Sequence, residues 1–294
     1  DLHSLRRRQR QMCIRDSLTL LVKNGTDLHS YQPSVRDIAM IARADVFCYV
    51  GGVSDTWVND VLDTTENRTA QLVSMAEAAD ADEEVLAEGM QAEHEHEHEH
   101  EHEHHDDEND SHEEPPELDE HVWLSLRRAA LACTAMKEAL CKADPAHEDI
   151  YNQNCTDYLQ KLQELDSDFT EMTSQAARDT IVVADRFPFR YLAEDYGLTY
   201  YAAFPGCSAE TEASFETIVF LSEKVESLHL PCVLVTEGSN SSLAKTILEN
   251  AGSDGKILTL QSLQAVSQKE IDAGVTYLSK MQENYDVLKQ ALNS

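Results

Sequence analysis

The chain is poor in basic residues. Its 23 Lys and Arg stand against 55 Asp and Glu, which gives a formal net charge of −32 at pH 7. Binding to nucleic-acid phosphates depends on Lys and Arg, so this balance argues against a nucleic-acid partner. A strongly negative protein instead attracts cations over long distances. The sequence also lacks an apolar run of the roughly 18–20 residues that a membrane-spanning helix needs, so no such helix is expected.

Two kinds of sequence motif are also missing. The seven cysteines are scattered and none forms a CxxC pair, which argues against a zinc ribbon or a dithiol redox centre. There is no HExxH segment and no nucleophile elbow. A hydrolytic metal centre needs an open coordination position beside a general base. A metal-dependent hydrolase is therefore the least favoured hypothesis for the function of the chain.

Histidine alternating with glutamate is abundant in one tract. Seven of the thirteen histidines lie within Glu93–His105, namely His94, His96, His98, His100, His102, His104 and His105. Imidazole is the commonest protein ligand for zinc, copper and nickel, so this composition is typical of a metal-binding segment. Low hydrophobicity with high charge predicts that the tract has no packed core. We expect shallow, exchangeable sites that form an auxiliary metal-capture loop.

The sequence on either side of the tract predicts an α/β fold. Short apolar strands alternate with helices, which is the pattern of parallel sheets. The first strand is predicted at Leu18–Val22, and Ser34 is expected to cap the helix that follows. The last helix is predicted at Ile271–Leu292. Ligands of such sheets bind beyond the carboxyl ends of the strands, and His29, Asp185 and Glu237 all follow predicted strands.

The longest periodic segment runs from Asp144 to about Arg178. Its apolar residues are spaced alternately by four and three: Tyr151, Cys155, Tyr158, Leu162, Leu165, Phe169, Met172 and Ala176. This spacing predicts one continuous stripe on a single helix. A helix of about 30 residues spans roughly 45 Å, which is longer than one small domain needs. We predict that it joins two lobes; a free-standing coiled coil is the alternative.

The first 17 residues do not resemble the rest of the chain. They are basic in an acidic protein and lack the apolar core of a signal peptide. Met12–Ser17 looks like translated adapter sequence, so we expect residues 1–17 to be non-native and an export signal to be missing. The remaining boundaries are predicted as an amino-terminal lobe (18–143, with a disordered loop at 90–117), a linking helix (144–179) and a carboxyl-terminal lobe (180–294).

Two histidine-centred motifs resemble those of the zinc/manganese substrate-binding proteins of ABC transporters. They are the segment from Gly25 to Ser34, GTDLHSYQPS, and the segment from Asp119 to Ser125, DEHVWLS. The acidic His-rich loop and the segment YLAEDYGL after Arg190 are similar as well. The resemblance covers about residues 18–294. It implies two Rossmann-like lobes with parallel sheets, joined by a long rigid helix, with one metal in the cleft.

The same resemblance implies the metal ligands. His29 matches the first histidine ligand of the family and His121 the second. The usual third histidine is absent from the segment beginning at Asp185, where the Asp185 carboxylate is the nearest oxygen ligand; pairing with Arg186 or Arg190 is its alternative. The usual carboxylate after the last strand is also absent, and Glu237 is expected to substitute or else to cap a turn. Two histidines with carboxylates can bind zinc and would also suit manganese, whereas the imidazoles of the His-rich tract favour zinc, copper or nickel over manganese. Zinc is therefore the expected ion.

The family resemblance implies capture of zinc or manganese outside the cytoplasmic membrane. It also implies delivery of the metal to a membrane ABC permease by a monomeric periplasmic or cell-surface lipoprotein. An alternative is a metal buffer or chaperone that acts through the His-rich tract alone. Because protons compete with metals for imidazole, binding is expected to weaken as the pH falls toward about 5.

Overall fold

The computed structural model describes residues 17–22, 28–64, 69–90, 118–208 and 212–294. Predictions for residues 1–16 and for the His-rich tract therefore lie outside the described residues. Residues 17–22 were predicted to hold the first strand, but they form no ladder and carry only a bend at its end. That prediction is wrong. A short apolar run becomes a strand only where another strand pairs with it, and both described strands of this lobe pair with each other instead.

The amino-terminal lobe is built on a two-stranded parallel sheet. Its elements are α1 (Val35–Ile41), β1 (Val46–Tyr49), α2 (Trp57–Thr64), β2 (Gln71–Ser74) and α3 (Met75–Ala78). Val46 lies opposite Gln71 in the ladder. The Ser34 hydroxyl accepts a bond from the Asp37 N–H, and the Asp37 carboxylate accepts one from the Ser34 N–H. This reciprocal cap starts α1 where the sequence predicted.

Two helices follow the His-rich tract, α4 (Leu126–Ala143) and α5 (Glu148–Ser174). Helix α5 has 27 residues and is about 40 Å long. Its buried residues all belong to the predicted apolar stripe: Cys155, Leu162, Leu165, Phe169 and Met172. Four of them, Leu162, Leu165, Phe169 and Met172, pack in one core with residues of both lobes. The long helix is therefore confirmed, and it is not a free-standing coiled coil.

The carboxyl-terminal lobe alternates strands and helices as predicted. Its elements are β3 (Thr180–Phe187), α6 (Arg190–Asp195), β4 (Thr199–Pro205), α7 (Phe215–Ser227), β5 (Cys232–Thr236), α8 (Ser242–Asn250), β6 (Lys256–Leu260), α9 (Gln268–Asp272) and α10 (Tyr277–Asn293). The four strands are parallel, in the order β4-β3-β5-β6. The single closing helix predicted at Ile271–Leu292 is wrong. It is interrupted at Gly274, whose φ of 92° is incompatible with a right-handed helix.

One buried core fixes the segment that follows the His-rich tract. Trp123, Leu124 and Leu126 lie in the same cluster as Phe169 of α5 and Met281 of α10. The Trp123 Nε1–H also donates to the Ser262 carbonyl at 2.9 Å, beyond the end of β6. The chain next to His121 is thereby held against the carboxyl-terminal lobe. Among the described residues, no helix combines the length and apolarity required to cross a bilayer.

Candidate metal centre

Three side chains from separate parts of the chain meet between the lobes. His29 comes from a 3-10 turn at Leu28–Ser30, and His121 stands just before a second 3-10 turn at Val122–Leu124. Cys207 lies in the turn after β4. One ligand atom from each lies within 4.8 Å of the other two, and the two imidazole centroids are 5.5 Å apart. This spacing lets two ring nitrogens and one sulfur bind the same cation.

The His121 side chain is fully buried and its orientation is fixed by Asp119. The His121 Nδ1 lies 2.8 Å from the Asp119 Oδ1, which also accepts the His121 backbone N–H at 3.1 Å. Since the carboxylate oxygen accepts, the proton of the neutral ring is on Nδ1 and Nε2 carries a free lone pair. A carboxylate behind the imidazole both sets the tautomer and raises the basicity of the ligating nitrogen.

His29 is oriented by a similar arrangement. Its Nδ1 lies 2.6 Å from the Ser54 Oγ and 3.1 Å from the Glu120 Oε1, and the Ser54 hydroxyl in turn donates to Glu120. Burial alone would raise the pKa of Glu120. The hydrogen bonds from His29 and Ser54 outweigh it and hold that pKa below the ordinary value. The Nε2 of His29 is thus also left with its lone pair directed away from Glu120.

The Cys207 turn approaches His121 closely. A Cβ atom on Gly206 would lie only 2.7 Å from the Cε1 and 3.0 Å from the Nδ1 of His121, so only glycine lets the turn come this near. The Gly206 N–H donates to the Glu84 carboxylate at 3.2 Å. Burial is the main cause that raises the pKa of Glu84. Glu84 precedes the His-rich tract, so this bond ties the cysteine turn to the other lobe.

Gln264 completes the group. This side chain, 6% exposed, places its amide Nε2 2.9 Å from the His29 Nε2 and 2.8 Å from the His121 Nε2. An amide NH₂ group has two hydrogens and donates one to each lone pair. The two imidazole lone pairs therefore converge on a single point, as they would on a shared metal ion.

A family comparison decides the assignment. The family model for ZnuA, the periplasmic component A of the zinc-uptake complex, matches residues 15–291. The chain belongs to the ZnuA family. This family is a binding component of metal uptake, which bears out the expectation that the chain is not an enzyme. The predicted fold of two α/β lobes with parallel sheets and a long helix is confirmed by the likeness of this chain to solved structures.

Curated relatives of this ZnuA-family chain carry zinc in their names. The zinc-binding protein AdcA of Streptococcus pyogenes serotype M6 is 32% identical over 279 residues, which cover 92% of this chain and 51% of AdcA. The high-affinity zinc uptake system protein ZnuA of Bacillus subtilis is 31% identical, covering 93% and 80% of the two chains. The chain thus spans about half the length of the AdcA relatives that it matches.

Solved structures share the fold. The Zn(II)-bound ZnuA-like domain of Streptococcus pneumoniae AdcA superimposes with a TM-score of 0.68 at 29% identity, covering 93% of this chain and 90% of that domain. The metal-dependent lipoprotein YcdH of Bacillus subtilis has a TM-score of 0.73 at 25% identity, covering 95% and 91%.

The structure brings two of the four sequence-predicted ligands together and leaves two apart. His29 and His121 meet, as the family motifs imply, and their ligand role stays a prediction. Asp185 and Glu237 do not belong to the group of potential ligands. The Asp185 Oδ2 accepts bonds from the N–H and hydroxyl of Thr236, and its Oδ1 accepts the Arg186 N–H. Its carboxylate ties the ends of β3 and β5 together instead.

Glu237 likewise has a structural position. Its carboxylate accepts the Ser262 N–H at 2.6 Å, the Ser262 hydroxyl at 2.7 Å and the Leu263 N–H at 3.0 Å. Glu237 therefore holds the loop that carries Gln264 and does not itself contact the imidazoles. The seven histidines of the predicted capture loop lie outside the described residues, so their role remains a prediction.

Cys207 and Gln264 are the site residues that the sequence reasoning missed. Cys207 has no second cysteine at a metal-ligand spacing, and an amide is not a typical zinc ligand. One signal was available: both residues follow parallel strands, β4 and β6, within four residues of the strand end. That is the position where ligands of α/β sheets bind.

Gly206→Ala is expected to weaken metal binding without removing any ligand. The new methyl group would have to displace the His121 ring from its bond with Asp119 or push the Cys207 turn away. Loss of such support costs about 10–100-fold in metal affinity. Competitive titration with a fluorescent zinc chelator measures the change, and Gly252→Asn is a matched control, because no atom lies near that glycine and asparagine tolerates its φ of 60°. An unchanged zinc affinity of Gly206→Ala would contradict this prediction, because it would show that the Cys207 turn accommodates a Cβ atom.

Proposed function

We propose that this chain captures zinc outside the cytoplasmic membrane and delivers it to an ABC permease. The observation that carries the proposal is the convergence of two imidazole lone pairs with the Cys207 sulfur between two lobes. The family description and the zinc-binding names of the relatives support the choice of metal and the extracytoplasmic location. A cleft between lobes suits a cargo that must be enclosed and later released.

The donor set fits zinc better than manganese. Zinc is bound in tetrahedral sites by imidazole nitrogen and thiolate sulfur, whereas manganese favours oxygen ligands. His29 and His121 supply two neutral nitrogens and Cys207 supplies one thiolate, so the three donors bring a single negative charge to the ion. Manganese is expected to bind the same donors more weakly than zinc. The carboxylates of Glu120 and Asp119 contact the Nδ1 atoms of His29 and His121 and orient the two rings.

The His-rich tract has an accessory role in this proposal. Together with the net charge of −32, it raises the concentration of cations near the cleft. The described chain on either side of the tract supports this placement, because Glu83 forms a bridge with Leu118 and Glu84 binds the Cys207 turn. The described residues that flank the tract thus lie beside the site.

Deleting residues 93–112 is expected to leave one tight zinc site and to remove several weak ones. The tight site depends on His29, His121 and Cys207, which the deletion does not touch. Isothermal titration calorimetry, with a competing chelator for the tight phase, counts both classes of site. A deletion variant that retains no binding would contradict the proposal and favour the alternative, a buffer that acts through the tract.

Delivery to a permease is tested by uptake rather than by binding. Cells that carry an ABC zinc permease, and lack their own binding component, should accumulate radiolabelled zinc when the exported chain is supplied. The tract-deleted protein should support the same uptake at high zinc and less at low zinc, because only capture is impaired. Uptake that is independent of the supplied chain would contradict delivery.

A further inference from the structure

Two cysteines face each other across the helices α4 and α5, outside the metal centre. The Cys133 Sγ on α4 lies 3.9 Å from the Cys155 Sγ on α5, and the two residues are 22 positions apart in the chain. A short 3-10 turn at Pro145–His147 joins the two helices. Because Arg127 at the start of α4 pairs with Asp166 in the second half of α5, the helices run antiparallel. The two sulfurs therefore meet at the interface of a helical hairpin.

The distance between the two sulfurs is close to that of a covalent pair. In a disulfide the sulfur atoms are about 2.05 Å apart, so these two have to approach each other by about 1.9 Å. Each sulfur is carried by a single rotatable χ1 torsion, and rotation of both side chains supplies an approach of this size. Both cysteines are free thiols in the structure. The hairpin thus holds a thiol pair that is placed for oxidation.

A metal site is the alternative use of two adjacent sulfurs, but the surroundings argue against it. Structural zinc sites have four protein ligands. Among the residues that the structure describes, no third His, Cys, Asp or Glu joins Cys133 and Cys155 in a group of potential ligands. Burial, and after it the neighbouring Cys155, raise the pKa of the Cys133 thiol to about 11. Metals bind thiolates, which are charged, whereas a disulfide is neutral and can be buried at little cost.

The two cysteines differ in their access to solvent. Cys133 is partly exposed, whereas Cys155 is only 8% exposed. An oxidant in solution therefore reacts first at Cys133. The Cys155 sulfur is then the nearest group that can complete the reaction.

We propose that Cys133 and Cys155 form a disulfide bond that fastens α4 to α5. The oxidant is an external disulfide, of the kind that thiol–disulfide oxidoreductases carry. The Cys133 thiolate attacks one sulfur of that disulfide, whose S–S bond breaks and releases a first thiolate. The Cys155 thiolate then attacks the Cys133 sulfur, and the mixed disulfide breaks and releases a second thiolate. The two protons of the cysteines pass to these thiolates, so the oxidant ends as two thiols.

The bond suits the place of the hairpin in the fold. Helix α4 begins at Leu126, directly after the segment that carries His121, and α5 packs with residues of both lobes. A covalent link between the helices therefore stabilises the support of His121 and leaves the group of potential ligands unchanged. Disulfides form and persist outside the cytoplasm. The inference rests on the proposed function for this location only.

Peptide mapping tests whether the bond forms. The wild-type chain is treated with oxidised glutathione, its remaining thiols are blocked with N-ethylmaleimide under denaturing conditions, and the protein is digested with trypsin. Cleavage after Lys137 and Lys142 places Cys133, Cys141 and Cys155 on three different peptides. Mass spectrometry should find the first and third peptides joined, with the mass of two hydrogen atoms missing. Cys141 should be recovered with the blocking group attached.

Thermal unfolding tests what the bond does. A link that closes a loop of 22 residues should raise the melting temperature of the oxidised wild-type chain by about 5–10 °C over the reduced chain. Cys155→Ser should show no difference between oxidised and reduced samples, whatever its own melting temperature. Cys141→Ser is the matched control on α4 and should keep the full difference.

The outcomes separate this proposal from the proposed function. Glutathione retained on Cys133, a bond from Cys133 to Cys141, or equal melting temperatures of the oxidised and reduced wild-type chain would each overturn the disulfide. None of these measurements requires zinc. A chain that forms the bond and takes up no zinc overturns the proposed function alone, and a chain that binds zinc without forming the bond overturns the disulfide alone.

Discussion

Replacing His121 by alanine is expected to abolish tight zinc binding. The ring is fully buried, its tautomer is fixed by Asp119 and its Nε2 lies in the cleft, so nothing else in the described structure can supply that nitrogen. Loss of an outer partner of a ligand costs about 10–100-fold, and loss of the ligand itself should cost more than this. Competition with a chelator of known zinc affinity provides the measurement.

The control for His121→Ala is His147→Ala. His147 pairs with Asp144 at the start of α5, outside the group of potential ligands, so its variant should bind zinc as the wild type does. Thermal unfolding separates a lost ligand from a damaged core, because His121→Ala also leaves a small cavity beside Trp123. A folded His121→Ala protein with wild-type affinity would contradict the assignment of this histidine.

Cys207→Ser is expected to change which metals bind, not only how tightly. A thiolate is a soft donor that favours zinc and cadmium over manganese, and a serine hydroxyl does not replace it. Zinc affinity should fall by at least about tenfold, and the preference for cadmium over manganese should shrink. In the cobalt-substituted protein, the near-ultraviolet absorption that arises from charge transfer between sulfur and metal should disappear.

Cys141→Ser is the control for that experiment. Cys141 is a partly buried free cysteine on α4, outside the group of potential ligands, and its variant should keep both the absorption band and the metal preference. If Cys207→Ser retained the charge-transfer band, the sulfur at position 207 would not be a ligand. If the variant also kept the metal preference of the wild type, the cation would be held by His29 and His121 together with donors other than Cys207.

The α/β alternation and the long helix could be predicted because their signals are local. The stripe on α5 is periodic over 27 residues, and β5 (Cys232–Thr236) is a short apolar run ended by turn residues. The predicted strand at Leu18–Val22 fails since its hydrophobicity alone does not specify a pairing partner. The predicted closing helix fails at Gly274, where a positive φ outweighs the apolar periodicity on either side.

The site was predictable only in part. His29 and His121 lie in motifs that resemble those of a known family, and the resemblance identifies them as candidate ligands. Cys207 and Gln264 lie in no such motif, and only the tertiary structure brings them close to the histidines. Position 207 lies near His121 because Gly206 permits the approach. Position 264 lies near both rings because Glu237 holds an unfavourable Leu263 backbone. Neither cause is visible in the spacing of residues.

X-ray absorption at the zinc edge of the tract-deleted protein tests the central claim most directly. A single ion held by His29, His121 and Cys207 should show imidazole scattering with nitrogen at about 2.0–2.1 Å and one sulfur at about 2.3 Å. The deletion removes eight histidines, the seven of the tract and His112, that would otherwise add imidazole signal. A coordination shell made of oxygen alone, without imidazole or sulfur, would contradict the account.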